Sequence, residues 1–268
     1  MRVFISADIE GVSGMVDWKD EDQFAARNWM TEDVNAAIAG AFDGGAAYVC
    51  VRDAHGPARN IVPDSLDARA DLCRGWGPQS MMVEGVRDGY DALMLVGYHA
   101  CAGTERGIMS HSWSGILRGF SIDGVAMGEV GLAAVVAGSA DVPLVMVSGD
   151  DWLAAEAKAL VPGVRAAVVK YGIRRLAGRC LPLEKARALI RETAAAAVAV
   201  AEPGAAPYKV AFPARVELSY RDKEMARAAA RIPGTERSGD YSVVSLVDSV
   251  DGLQDFFYCC NTIAGSVA

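Results

Sequence analysis

Short apolar runs alternate with longer amphipathic or alanine-rich segments through the first 160 residues of the chain. Four runs rich in β-branched and other apolar residues predict buried strands, at 2–7, 47–51, 92–96 and 143–147. Helices are predicted among them at 31–42, with Thr31 as its N-cap, 128–138 and 152–160. This alternation is typical of a parallel sheet with helices on both faces. We therefore expect an α/β fold with a mostly parallel sheet flanked by helices.

The pattern changes in the last third of the chain. A strand at 164–169 and an alanine-rich helix at 183–200 precede residues 201–207, whose Pro-Gly content makes them the best linker candidate. The remainder predicts the order β-α-β-α, at 208–218, 222–231, 241–247 and 250–263. The expected organisation is a large α/β domain over residues 1–205 and a small C-terminal α+β lobe over residues 206–268.

Composition and charge narrow the classes of partner. The chain has 268 residues and a net charge of −8, and its longest basic cluster is Arg174-Arg175, so we expect no binding to nucleic acid. No apolar run reaches the roughly 20 residues that span a bilayer, and the chain opens on a strand-like segment, so we expect no membrane role. Six scattered cysteines without a C-x-x-C pair indicate free thiols in a reducing compartment, and we expect a cytoplasmic location.

Acidic and imidazole side chains follow the predicted strands at the point where each strand ends. Asp8 and Glu10 follow the first strand, His55 the second and His99 the third. Loops converge at the carboxyl edge of a parallel sheet, which is where ligands bind in such folds. Asp8 and Glu10 are two positions apart and can project to one side, where they repel each other unless a cation lies between them. Glu129, in the first turn of a predicted helix, is a further carboxylate candidate.

These five side chains form a mixed nitrogen and oxygen donor set. Such a set suits zinc, with manganese or cobalt as possible substitutes. Five ligands exceed the usual three of a catalytic zinc, so two ions about 3.5–4 Å apart would share them if Asp8 bridges. Taken singly, each residue is more often a turn, cap or hydrogen-bonded group. Considered together, the residues favour a metal site more strongly, because the chain has only three histidines, at 55, 99 and 111, and all three lie in loop-like positions in this half of the chain.

Other polar residues near these positions leave several roles open. His111, in a polar stretch, could be a sixth ligand, a general acid or base, or a loop residue held by a neighbouring serine. Asp53 could orient an imidazole or form an Asx-turn, and Asp150 and Asp151 are interpreted as caps of the following helix. Cys101 lies near His99 but has no evident partner that would activate a thiol.

Other catalytic motifs are absent from the sequence. It contains no G-x-S-x-G elbow, no P-loop, no dinucleotide fingerprint and no H-E-x-x-H. Several aromatic residues are candidates for the wall of a substrate pocket and equally for the core: Trp18, Trp29, Trp76, Trp113 and Tyr98.

The candidate residues lie in an ordered series of short motifs. These are Ser6-Ala7-Asp8-Ile9-Glu10-Gly11-Val12-Ser13-Gly14, Met30-Thr31-Glu32, Asp53-Ala54-His55, Val96-Gly97-Tyr98-His99-Ala100, Met109-Ser110-His111-Ser112, Gly128-Glu129-Val130-Gly131-Leu132 and Ser148-Gly149-Asp150-Asp151. The series resembles the M55 metallopeptidases, well over about the first 190 residues and loosely beyond.

The resemblance implies a dinuclear zinc site and a specific assembly. The ligand motifs of the family fall on the five residues already selected, and its additional active-site histidine corresponds to His111, as a nucleophile or an acid/base. It also implies ring-shaped homodecamers whose sites open onto an internal chamber that admits short peptides.

Together, residues and resemblance predict a dinuclear zinc-dependent amide hydrolase with two zinc ions per chain. The leading interpretation is an aminopeptidase that cleaves short peptides containing D-amino acids by metal-activated water, with His111 donating a proton or stabilising the oxyanion. Two alternatives stay open. The same metals could hydrolyse a non-peptide amide or another ester, or the chain could be a non-catalytic peptide-binding protein with a structural metal.

Overall fold

A computed structural model describes residues 1–21, 24–77, 81–201 and 205–268. Its elements in chain order are β1 (Arg2–Ala7), α1 (Trp18–Glu21), α2 (Phe24–Asp43), β2 (Tyr48–Asp53), β3 (Ala70–Cys73), β4 (Ala92–Val96), β5 (Leu117–Ile122), β6 (Val125–Met127), α3 (Glu129–Gly138), β7 (Leu144–Asp150), α4 (Asp151–Leu160), β8 (Arg165–Arg174), β9 (Ala177–Cys180), α5 (Leu183–Ala201), β10 (Ala214–Tyr220), α6 (Lys223–Ala229), β11 (Glu236–Arg237), β12 (Ser242–Val247) and α7 (Val250–Gly265). A short 3-10 turn covers Pro63–Ser65.

The larger sheet is almost entirely parallel. Its seven strands lie in the order β3-β2-β1-β4-β7-β8-β9, and only β9 runs antiparallel to its neighbour. Strands β2 and β3 lie on one side of β1, and β4, the next strand along the chain, lies on the other side of β1. The strand order therefore reverses between β1 and β4. The predicted α/β class with a mostly parallel, helix-flanked sheet is confirmed.

Alternate residues of the central strands face two separate cores. In β1, Val3 and Ile5 pack in the core that contains buried residues of α2 and α5, whereas Phe4 packs in the opposite core with α3 and α7. Because both faces are covered, the strands are apolar on both sides, and this produces the continuous hydrophobic runs seen in the sequence. Helix α3 is itself buried along its whole length.

A second, antiparallel sheet covers part of one face. Its five strands lie in the order β11-β12-β10-β5-β6. Together with α6 and α7 it forms the smaller α+β layer, but β5 and β6 come from the middle of the chain. The division at residue 205 stays a prediction, and residues 202–204 of the predicted linker lie outside the described residues.

Two predicted element boundaries are wrong. Helix α2 begins at Phe24, seven residues before the predicted cap, and Thr31 lies inside the helix, where its hydroxyl donates to the carbonyl of Arg27 at 2.7 Å. A hydroxyl that bonds back to the preceding turn belongs to a helix interior and not to an N-cap. The first strand of the last third begins at Ala214 instead of residue 208. In the described part of the chain, no helix has the length and apolarity needed to span a bilayer.

Candidate metal centre

The predicted site residues converge at the carboxyl edge of the parallel sheet. Asp8 and Glu10 follow β1, His55 follows β2 and His99 follows β4. Strands β1 and β4 are neighbours at the point where the strand order reverses, and ligands in open α/β sheets bind in the crevice at such a point. Glu129 enters the same crevice as the first residue of α3, where the helix dipole favours a negative charge.

The loops after β1 and β4 approach each other unusually closely. The amide of Asp8 donates to the carbonyl of Val96 at 2.9 Å, and the amide of Gly11 donates to the carbonyl of Gly97 at 2.7 Å. A methyl group on Gly11 would overlap the carbonyl oxygen of Tyr98, and Gly97 has a φ of +74°. Glycine at these two positions therefore allows the approach that brings the first carboxylates beside His99.

A fully buried lysine holds the loop after β1 in place. Lys170 donates from Nζ to the carbonyl oxygens of Glu10 at 2.5 Å, Met15 at 2.6 Å and Val12 at 3.1 Å. Burial lowers the pKa of Lys170 to about 8, although nearby acidic groups oppose the shift. Its three donors are all used by this one loop, so Lys170 sets the position of the Glu10 backbone.

Two donor groups share Asp8. In the first, His55 Nδ1 lies 3.0 Å from Asp8 Oδ1 and 3.0 Å from Glu10 Oε2. In the second, His99 Nε2 lies 3.5 Å from Asp8 Oδ2 and 3.3 Å from Glu129 Oε1. The ligand atoms of each group lie within 4.8 Å of one another. Asp8 thus presents one carboxylate oxygen to each histidine.

His111 lies at the same cluster, with one nitrogen facing the carboxylates. Its Nε2 is 3.7 Å from Glu10 Oε1 and 3.8 Å from Glu129 Oε1, and its ring stacks on His99 with centroids 4.0 Å apart. Its Nδ1 lies 3.0 Å from the carbonyl of Met109, which can only accept, so Nδ1 carries the proton and Nε2 has the lone pair in the neutral ring. Burial and the neighbouring His99 lower the pKa of His111.

Burial and the neighbouring charges shift the pKa values of the acidic and imidazole groups of the cluster. Burial and the adjacent Glu10 raise the pKa of Asp8 to about 7. Burial would also raise the pKa of Glu10, but His55 outweighs it and holds that pKa well below its ordinary value. Against the opposing effect of burial, Glu129 raises the pKa of His99 to about 10. In the metal-free protein the cluster therefore retains protons that a cation would have to displace.

The donor chemistry fits a metal centre. Asp8 Oδ2, Glu10 Oε2 and His99 Nε2 are buried and lie 3.0–3.5 Å from other ionisable groups of the cluster, but none of them makes a well-aligned hydrogen bond with a described residue. Unpaired buried polar atoms are costly, and divalent cations satisfy such carboxylate and imidazole atoms. The structure brings all six predicted site residues together, while their roles as ligands and catalyst stay predictions.

Comparison with known proteins identifies the family. Residues 1–258 match the M55 peptidase family, which is described as D-aminopeptidase. The chain belongs to this family. The curated D-aminopeptidase of Bacillus subtilis (strain 168) is 42% identical over 204 residues, covering 74% of this chain and 74% of the relative. The chain also superposes on a solved structure with a TM-score of 0.94 at 34% identity, over 99% of this chain and 98% of that chain. That structure is described as the Zn-dependent D-aminopeptidase DppA from Bacillus subtilis, a self-compartmentalizing protease. The predicted resemblance and the prediction of an aminopeptidase-class hydrolase are confirmed.

The cluster of this M55 peptidase forms one wall of a cavity of about 700 Å³. Of the predicted wall residues, Trp18, Trp76 and Trp113 line the cavity. Tyr98 is instead fully buried, with its hydroxyl 2.7 Å from Ser6 Oγ, and Trp29 lies in α2 and packs against the core. The cavity therefore has acidic and imidazole groups on one wall and aromatic rings on others.

The backbone on both sides of His111 is strained. Met109 has a φ of +54° and Trp113 a φ of +64°, values that are uncommon for residues with side chains. The amide of Trp113 donates to Glu129 Oε1 at 2.6 Å, and its ring meets Phe257 edge-on. Such strain persists only where the surrounding structure enforces it, and here it presents His111 to the cavity.

Sequence reasoning missed several residues that line the cavity, among them Met82, Arg175, Arg221 and Tyr258. Arg221 follows β10 and Tyr258 lies in α7, so both come from the last third of the chain. No local pattern marks them, because only the packing of the antiparallel layer over the carboxyl edge places them there.

Three secondary interpretations are resolved by the contacts. Asp53 accepts hydrogen bonds from the backbone and side chain of Asn60, so it closes the loop that carries His55. Asp150 caps α4 by accepting from the amide of Leu153 at 2.8 Å, as predicted. Burial raises the pKa of Cys101 to about 11, which keeps this thiol protonated and disfavours it as a nucleophile at neutral pH.

Proposed function

We propose that the chain is a zinc-dependent aminopeptidase that binds two zinc ions. Asp8, Glu10 and His55 would hold one ion, and Asp8, His99 and Glu129 the other. The observation that carries this proposal is the geometry of Asp8, whose two oxygens lie 3.0 Å and 3.5 Å from different histidines, as a bridging ligand requires. The relative DppA is described as Zn-dependent, which supports zinc as the metal.

The bound metal and His111 would divide the chemistry of amide cleavage. When bound, zinc supplies Lewis-acid polarisation of a carbonyl and lowers the pKa of water from about 15.7 towards ~7. Neutral His111 can accept a proton at Nε2 from the attacking water and return it to the leaving nitrogen, because its Nδ1 proton is committed to Met109. Its lowered pKa keeps the ring in the neutral form that this role needs.

Short peptides with an N-terminal D-residue are the proposed substrates. The family is described as D-aminopeptidase, and the cavity has room for a few residues between aromatic walls. Hydrolysis of D-Ala-D-Ala and of D-alanine amide should require metal, be lost on chelation and return with zinc at about two ions per chain. Full activity after verified metal removal would contradict the proposal. A matching L-series measures stereochemical preference and shows whether the D-assignment holds.

His111 has a test that separates catalysis from metal binding. His111→Ala should lower kcat by about 10²–10⁴-fold and leave the zinc content near two, since a proton-transfer group contributes on that scale. A near-normal rate with intact zinc would make His111 a loop residue. Loss of one zinc ion would instead make it a ligand, in agreement with its place in a third potential donor group with Glu10 and His99.

We further propose assembly into a ring-shaped homodecamer with an internal chamber that admits short peptides. The support is the description of DppA as a self-compartmentalizing protease and the match of its fold over 99% of this chain. Light scattering should give about ten times the 28.2 kDa of one chain. A monomeric mass at concentrations where the enzyme is active would contradict the proposal.

A cytoplasmic location is proposed on the cysteine content. All six cysteines are free thiols, as expected in a reducing compartment. Cell fractionation with an antibody against the chain tests this, and recovery in an exported fraction would contradict it.

A further inference from the structure

Two arginines line the cavity that contains the candidate metal centre. Arg175 lies in the turn between β8 and β9, and Arg221 directly follows β10. They come from different sheets, so the cavity combines an acidic cluster with cations supplied by both layers. A peptide substrate has a charged group at each end, which makes these cations candidates for recognising its carboxylate.

Arg175 is already engaged by the protein. Its Nε donates to the carbonyl of Ser110 at 3.2 Å, and its guanidinium lies 4.8 Å from the centre of the Trp18 ring. Trp18 in turn lies close to His111, with ring centroids 5.9 Å apart. These contacts make Arg175 a support of the wall beside the metal centre.

Arg221 has a different environment. Its backbone amide donates to the carbonyl of Ile116 at 2.9 Å, which fixes the start of the side chain. Its guanidinium is exposed and forms no ion pair or hydrogen bond with any residue in the described ranges. Its Nη1 lies 3.9 Å from the position of a Cβ on Gly115, which places the guanidinium beside Gly115 on the cavity lining.

The path from the metal centre to Arg221 is short enough for a small peptide. Glu129 accepts from the amide of Trp113, and Gly115 lies two residues further along the chain. The hydrogen bond from Trp113 to Glu129, the backbone from Trp113 to Gly115 and the contact of Gly115 with Arg221 together limit the distance from the Glu129 carboxylate to the Arg221 guanidinium to about 17 Å. An extended di- or tripeptide spans about 7–11 Å, which the reach of a flexible arginine can complete.

We propose that Arg221 binds the C-terminal carboxylate of the peptide substrate and thereby selects di- and tripeptides with a free carboxylate. The inference rests on the proposed aminopeptidase function. Guanidinium is suited to this role because its planar donors match a carboxylate in a bidentate geometry. Because the Arg221 guanidinium lines the cavity and has no partner among the described residues, it can bind such a carboxylate without first breaking a contact within the protein.

The test compares D-Ala-D-Ala with D-Ala-D-Ala amide, which differ only in the terminal carboxylate, on the zinc-loaded enzyme. Wild type should prefer the free dipeptide. Arg221→Ala should lower kcat/KM for the dipeptide by about 10–100-fold, mainly through KM, with a loss at least tenfold smaller for the amide. Arg221→Lys keeps the charge but loses the bidentate geometry and should fall in between.

Arg118→Ala is the matched control. Arg118 is an exposed arginine of β5 in the same antiparallel sheet, stacks on Tyr241 and lies outside the cavity lining, so its removal should leave the preference unchanged. Equal losses on both substrates in Arg221→Ala would overturn the inference. So would a wild type that cleaves both substrates equally, or a loss of preference in Arg175→Ala alone. Failure of wild type to cleave either substrate would instead refute the proposed function itself.

Discussion

Replacing Lys170 by methionine tests how the loop after β1 is held. The side chain is fully buried and donates to three carbonyl oxygens, of Glu10, Val12 and Met15. Methionine has a similar length and an unbranched, flexible chain, so it fills most of the space without donating a hydrogen bond. The substitution therefore isolates the contribution of the ammonium group.

The magnitude follows from two opposing terms. The carbonyl oxygens of Glu10 and Met15 are left without a donor and cost about 2–6 kcal/mol, at about 1–3 kcal/mol each, whereas Val12 keeps the amide of Met15 at 3.3 Å. Removing the buried charge returns about 3 kcal/mol, because the pKa of Lys170 is lowered from 10.5 to about 8 and one unit is worth about 1.36 kcal/mol. We expect the free energy of unfolding to fall by about 1 kcal/mol, near the middle of the resulting range of about −1 to 3 kcal/mol. Zinc affinity should fall too, since the backbone of Glu10 loses its anchor.

Urea unfolding of the zinc-free protein measures the stability term without the contribution of metal binding. Lys158→Met is the matched control, because Lys158 lies exposed on α4, and it should change stability by less than about 0.5 kcal/mol. A Lys170→Met variant that is as stable as wild type would refute the conclusion that the three bonds outweigh the burial of the charge. Unchanged zinc affinity would refute the positioning of Glu10 by Lys170.

Three further predictions address the site itself. Zinc binding should release protons, because the pKa of Asp8 is raised to about 7 and that of His99 to about 10, so that both groups hold protons in the metal-free protein. The affinity for zinc should therefore rise with pH, more steeply below pH 7 than above it. Calorimetry in buffers of different ionisation enthalpy measures the proton release, and a result of no release would contradict this prediction. Gly11→Ala should destabilise the fold by more than about 2 kcal/mol in urea unfolding and reduce the zinc content, because the added methyl overlaps the Tyr98 carbonyl. A variant with the stability and zinc content of wild type would show that the loops after β1 and β4 can separate freely. Cys101→Ser should keep peptidase activity within about threefold of wild type, since burial keeps this thiol protonated, whereas a loss of 100-fold or more would point to thiol chemistry.

The sequence by itself determined the parallel sheet and the cluster at its edge. Strands that are covered on both faces are mostly apolar, and for this reason β1, β4 and β7 each contain an uninterrupted run of apolar residues. The polar residues that follow such runs necessarily lie at one edge of the sheet. Asp8 and His99 could therefore be selected together before any contact was known.

Tertiary structure alone decided which strands are neighbours and what else faces the cavity. The pairing of β10 with β5 joins residues about one hundred positions apart, and no local periodicity specifies it. That pairing places Arg221 at the cavity, and the helix packed on the same layer brings Tyr258 there. The physical reason is the range of the forces involved: hydrophobic periodicity and capping act within a few residues, whereas partner choice depends on how whole faces fit together.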